Sequence, residues 1–424
     1  MKLLLTFILL SLISASALAK NIAIVDATVH TMTEQGSLQN ATILIKDGKI
    51  QTVLAQRPDL AGYEVIEAKG KVVTPGLIGA FTSLGLVEVS SSAGTVDSSY
   101  DKTAISSTGA ALDVAYAVNP HSSLMAVSRI EGVTSAATTM SNTHQLFQGQ
   151  GAIITLADTN SPIIKRAAFM SAVAGNQGAD DLGGSRAALW VTLEQVLSEA
   201  TFAQGKTFTP ASDWHGITTV ADAQALVPVV SGKVPLMIEA HRVADILQII
   251  ALKQRHPQLN IVILRATEGW QVAAQIAQAG IPVILNPESN LPYEFDQLSA
   301  TLANAARLHE AGVLIAIGMN THNIRLAKQH AGNAVANGLP WEAGLAALTI
   351  NPARMYGVAD KIGSITAGLQ ADIVIWSGDP LQITEAAEQV FINGEAVVME
   401  SRQTKLRDRY LNKRTDKSMH YQRP

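Results

Sequence analysis

The chain has 424 residues, 47% of them hydrophobic and 16% charged, enough for one large packed domain and a smaller one. Its 31 Lys and Arg against 35 Asp and Glu leave a net charge of −4, which gives no electrostatic reason to expect a nucleic-acid partner. It has no cysteine, which excludes disulfides, thiolate metal ligands and cysteine nucleophiles.

The first stretch reads as a targeting segment. Lys2 supplies a positive n-region, residues 3–13 an apolar run, and Ala17-Leu18-Ala19 an A-x-A-like cleavage site. Removal of residues 1–19 is expected, with the mature chain starting near Lys20 and a periplasmic or secreted address. The apolar run is shorter than the ~20 residues of a membrane span. An uncleaved anchor is the alternative. No later stretch reads as a membrane helix.

Residues 21–73 read as short strands, with Asp47-Gly48 as a hairpin turn. The stretch 70–88, GKVVTPGLIGAFTSLGLVE, begins with a Gly70-Lys71 turn, runs through the β-branched Val72 and Val73, breaks at Pro75-Gly76 and continues as a second apolar run. Residues 89–108 are rich in Ser and Thr and read as a surface loop, as does the glycine-rich 174–185. His144, in SNTHQLFQGQGAI, lies between two apparent strand ends, where it can face either a cleft or water.

From residue 234 to 318 apolar strands alternate with longer helical stretches, and this predicts a parallel sheet with helices outside. A doubly wound sheet is one solution. No G-x-G-x-x-G follows any strand, which weakens its nucleotide-binding version. A (β/α)8 TIM-like barrel fits the length. The C-terminal part returns to strands, with an Asn393-Gly394 hairpin turn. The expected organisation is therefore a leader at 1–19, a small β-sandwich built from 20–73 and 362–424, and a barrel over 74–361.

The stretch 70–88 resembles the first barrel strand of the amidohydrolase superfamily, GK-x-V-x-PGLID-x-H-x-H. Residues 345–378 resemble its closing helix, A-x-T-x-NPA, then G-x-I-x-x-G and an AD-hydrophobic strand. The styles at 332–349 and 401–410 are similar to a secreted, imidazolonepropionase-like subgroup. The resemblance implies a metal-dependent hydrolase with a composite fold, acting on carbon–nitrogen bonds, with zinc as the usual metal.

Position by position, the family's two strand-one histidines fall on Phe81 and Ser83, and its Asp on Gly79. The strand-five histidine falls on or beside Glu239, with His241 two residues on and on the same strand face. The strand-six histidine falls near Arg265, and the strand-eight aspartate on Asn320, whose amide accepts no proton at neutral pH. A zinc hydrolase needs three or four ligands and a base, so no metal site and no bound cofactor are expected.

The candidate catalytic residues are Glu239, His241 and Asn320. The candidate substrate-binding residues are Arg265, Glu268, His322 and His144. Most fall at C-terminal strand ends, the active face of a barrel. Arg265 there would bind a carboxylate, or pair with Glu239 to fill the old metal position. Three functions remain open. The chain is a pseudoenzyme that binds a small molecule, an active cyclic-amide or dipeptide-type hydrolase with a rearranged site, or a non-catalytic envelope protein. A homo-oligomer is compatible with each.

Overall fold

The computed structural model describes residues 21–411 except 93, 101–103, 142, 210–211 and 319–320. The leader at 1–19 and Asn320 lie outside the described residues.

Strands from both chain ends share one sheet. β1 (Ile22–His30) pairs antiparallel with β2 (Ser37–Lys46), which pairs with β3 (Lys49–Leu54). β1 also runs parallel to β4 (Glu64–Glu67) and β5 (Val72–Pro75). Late in the chain, β14 (Ile373–Trp376) pairs antiparallel with β5 and with β15 (Ala387–Ile392), and β16 (Glu395–Ala396) closes the edge. Ile24, Ile43, Val73, Ile373 and Phe391 pack into a single buried cluster that joins the two ends.

The two hairpin turns have consecutive positive φ angles, 51° and 75° at Asp47-Gly48 and 52° and 75° at Asn393-Gly394, as tight hairpins require. They also meet. A Cβ on Gly48 would lie 2.7 Å from the Asn393 carbonyl oxygen, so glycine there serves both the turn and the approach.

The middle of the chain builds an eight-stranded, nearly closed barrel. In order it comprises β6 (Leu77–Thr82), β7 (Val133–Thr138), β8 (Phe147–Thr155), β9 (Ile163–Val173), β10 (Leu236–Ala240), β11 (Ile261–Arg265), β12 (Val283–Leu285) and β13 (Ile315–Ile317). The expectation of a regular (β/α)8 barrel needs correction. β8 runs antiparallel to both neighbours, because β7, β8 and β9 are joined by short connections rather than crossover helices. The remaining barrel pairs are parallel. At the seam, Ser83 N–H donates to the Thr321 carbonyl at 3.1 Å. A space of only about 20 Å³ remains there, beside Gly79 and Gly318.

An aromatic layer fills the barrel interior. Phe81 lies 6.3 Å from the Phe169 ring, and Phe169 lies 5.1 Å from the Tyr356 ring. The Tyr356 hydroxyl donates to the Ala80 carbonyl and lies 3.5 Å from Met237 Sδ. Burial drives its pKa well above the ordinary tyrosine value. Among the described residues, no helix is long and apolar enough to cross a membrane.

Candidate functional site

Met237 and Glu239 share the inward face of β10, so Glu239 stands one layer above the aromatic plug, at the C-terminal end of the strand. His241 follows on the same face. Its Nε2 lies 3.6 Å from Glu239 Oε1, and its Nδ1 lies 2.7 Å from Thr267 Oγ1.

Arg265 ends β11. Strict alternation would send it outward, since Leu264 belongs to the interior cluster. Its φ of 73°, followed by 43° at Ala266, breaks the alternation and turns the guanidinium inward. A left-handed backbone at two successive non-glycine residues is costly and marks a functional or tightly constrained position. Arg265 Nε comes within 3.6 Å of Glu239 Oε1, an ion pair slightly longer than a hydrogen bond. Burial alone would raise the Glu239 carboxyl. The adjacent His241 ring and the Arg265 charge outweigh it and hold Glu239 below the ordinary glutamate range.

The other predicted site residues divide. Glu268 faces the protein: Oε2 accepts from Val243 N–H at 3.2 Å and Oε1 from Ser299 N–H at 3.0 Å. It thereby satisfies an orphan donor at the start of helix Val243–Arg255. His322 is half-buried in the segment tied to the end of β6 through Thr321. His144 has φ 50°, leaves 55% of its side chain exposed, and places Nδ1 3.6 Å from Asp181 Oδ1. It therefore stands apart from the Glu239 group.

Several contributors were not anticipated. Thr267 orients His241, and its place two residues after Arg265 was the available signal. Arg186 braces the mouth. Its Nε lies 3.0 Å from both Asp245 oxygens, and its Nη2 donates to Asn176 Oδ1 at 2.6 Å. Asp296, almost fully buried, accepts from Asn176 N–H at 3.3 Å and lies 3.9 Å from Arg186 Nη2. Nothing in the sequence links these positions.

The zinc that the family resemblance implies does not fit these side chains. Phe81, 2% exposed, places a hydrocarbon ring where an imidazole is needed, and Ser83 is buried at 3%. A guanidinium beside Glu239 opposes a second cation there. Among the described residues, no three His, Asp or Glu side chains are grouped to hold a metal ion.

Residues 258–399 match the model of the Amidohydrolase family. Over 59 residues the chain is 48% identical to the amidohydrolase tasK of Hapsidospora irregularis, covering 14% of this chain and 6% of that protein. Over 113 residues it is 30% identical to a 5-methylthioadenosine/S-adenosylhomocysteine deaminase of Desulforudis audaxviator, covering 24% of this chain and 25% of that protein. The matched stretches thus span a quarter or less of these curated relatives. Among solved structures, an amidohydrolase from Thermotoga maritima superposes with a TM-score of 0.78 at 25% identity, covering 89% of this chain and 99% of that one. A zinc-bound adenosine deaminase from Xanthomonas campestris has a TM-score of 0.50 at 15% identity, covering 92% and 97%, a likeness of fold alone.

Proposed function

We propose that this amidohydrolase-superfamily chain lacks the zinc-dependent hydrolytic centre and binds a small carboxylate-bearing molecule at its barrel mouth. The observation that carries the reading is Arg265: a guanidinium turned inward by a left-handed backbone, its side chain still 28% exposed beside Glu239. A guanidinium is a planar fork of five donors matched to a carboxylate. Glu239 opposite it keeps the pocket from being purely cationic, which favours a ligand that also carries hydrogen-bond donors. In this reading the chain is a pseudoenzyme, exported after loss of residues 1–19. Its 20–73 and 362–424 segments form the small β-sandwich beside a 74–361 barrel, a division supported by the pairing of β5 with β14.

A second reading has one observation in its favour. Thr267, His241 and Glu239 form a chain of contacts at 2.7 and 3.6 Å, the arrangement of an oriented imidazole beside a carboxylate. In that reading His241 takes a proton from water, and the substrate is a cyclic amide or a dipeptide-type molecule.

The test is thermal melting with a panel of small carboxylates, on the wild type and on Arg265→Met. Binding to the native state raises the melting temperature by mass action. The pseudoenzyme reading expects carboxylate-dependent stabilisation that Arg265→Met abolishes, without turnover. Turnover abolished by His241→Ala would establish the second reading instead.

A further inference from the structure

The segment that follows β12 holds large apolar side chains in solvent. Leu291 is 78% exposed, Tyr293 and Phe295 are each 88% exposed, and Leu298 lies outside as well. Single apolar residues at a surface need no explanation, but large ones gathered on one segment mark a contact surface.

Both ends of this segment are pinned. At its start the Glu288 N–H donates to Asn286 Oδ1 at 3.0 Å. Glu288 Oε1 accepts from Asn333 Nδ2 at 2.7 Å and lies 2.9 Å from His330 Nδ1. Both partners sit on helix Ala327–Ala336, which follows β13. At the far end Glu294 Oε2 accepts from Asn176 Nδ2 at 3.4 Å, and the buried Asp296 accepts from Asn176 N–H. Asn176 lies just after β9. In the barrel order β9, β10, β11, β12, the segment therefore returns across the ends of β10 and β11, where His241 and Arg265 stand. Gly175 fixes how close it comes. An ideal Cβ on Gly175 would lie 3.1 Å from Asp296 Oδ2 and 3.9 Å from His241 Cδ2, so the segment and the imidazole flank one point.

Between its pins the chain has slack. Residues 286–295 could span about 33 Å when extended, whereas three strand spacings amount to about 15 Å. Residues 289–293 belong to no helix or strand, and among the described residues none of their side chains makes a hydrogen bond or ion pair. A loose, apolar stretch held at two fixed points beside a polar site is built to move over it.

We propose that residues 289–295 are a strap that closes over Glu239, His241 and Arg265, with Leu291, Tyr293 and Phe295 covering an apolar group of the ligand. The proposal rests on the carboxylate reading above and narrows its ligand to a carboxylate bearing an aryl or branched-alkyl group. Closure buries apolar surface of strap and ligand together and excludes water from the polar site.

Calorimetry with N-acetyl-phenylalanine, N-acetyl-glycine and N-acetyl-phenylalanine amide tests it, with hydrogen exchange of residues 286–299 followed alongside. The proteins are the wild type and the triple variant Leu291→Ser, Tyr293→Ser, Phe295→Ser, whose exposed positions leave the core untouched. The wild type is expected to bind N-acetyl-phenylalanine about tenfold more tightly than N-acetyl-glycine. Bound N-acetyl-phenylalanine should also slow exchange in the strap. The variant should bind both acids with the affinity of N-acetyl-glycine. If the amide binds as well as N-acetyl-phenylalanine and the variant still loses the benzyl preference, the strap stands and the Arg265 reading fails. Equal affinity for the two acids overturns the strap alone, as does a benzyl preference that the variant keeps, or exchange that bound N-acetyl-phenylalanine leaves unchanged. A dimer that the variant breaks, with no change in probe binding, overturns the strap and assigns these side chains to a second copy of the chain. Binding of none of the three probes overturns both readings.

Discussion

Replacing Arg265 by alanine removes the positive charge facing Glu239 and leaves a buried carboxylate beside a histidine. At the observed 3.6 Å and an effective dielectric of about 20, the lost attraction is about 4–5 kcal/mol. The pair is not fully dry, with side chains 28% and 18% exposed, so water recovers part of this. The net loss expected at neutral pH is about 2–3 kcal/mol. The sign of its pH dependence follows from Glu239, whose folded pKa is depressed. Stability from such a group is fully present above its unfolded value of 4.5 and is lost as pH falls through the folded value. The deficit of Arg265→Ala is therefore largest at neutral pH and shrinks once acid protonates the carboxylate. Arg265→Gly is expected to be about 1 kcal/mol less harmful than Arg265→Ala, because glycine accepts the 73° φ without strain. Urea unfolding followed by tryptophan fluorescence, at neutral pH and near pH 4, measures all three quantities. A variant as stable as the wild type at both pH values would refute the ion-pair reasoning.

Other consequences are equally direct. Burial pushes the Asp372 carboxyl up from 3.8 to about 6, so the fold loses stability as pH rises through that window, about 3 kcal/mol in all. Asp372→Asn, which keeps an oxygen for the Asn393 N–H, should melt higher than the wild type at neutral pH and lose the advantage below about pH 4. Tyr356→Phe leaves the Ala80 carbonyl without its donor and should cost about 1–2 kcal/mol in urea unfolding, with unchanged aromatic packing. Intact-mass analysis of exported protein should give a chain beginning at Lys20; retention of residues 1–19 in that material would contradict the leader reading.

Much of the site was legible because period-two alternation is a strong local rule. It put Glu239 and His241 on one face from the sequence IEAHR alone. The direction of Arg265 was not legible, since alternation points it outward and only the left-handed φ at 265 and 266 reverses it. Both hairpin turns were readable, because Asp-Gly and Asn-Gly encode positive φ in two residues. The antiparallel course of β8 was not, because an apolar run carries no direction. Glu268 looked like a mouth residue by position, but the backbone N–H groups of Val243 and Ser299 claim its carboxylate. The Arg186 brace reaches 59 positions along the chain to Asp245, a pairing that the side-by-side placement of β9 and β10 creates.

The proposed function requires that the positions matching the family's metal ligands hold no zinc. Elemental analysis of the purified chain, paired with thermal melts with and without a chelator, tests it most directly. The account predicts zinc at well under one equivalent and a melting temperature that the chelator leaves unchanged. A stoichiometric metal, with a melting temperature lowered by chelation, would contradict it and show that Glu239, His241 or His322 build a metal centre after all.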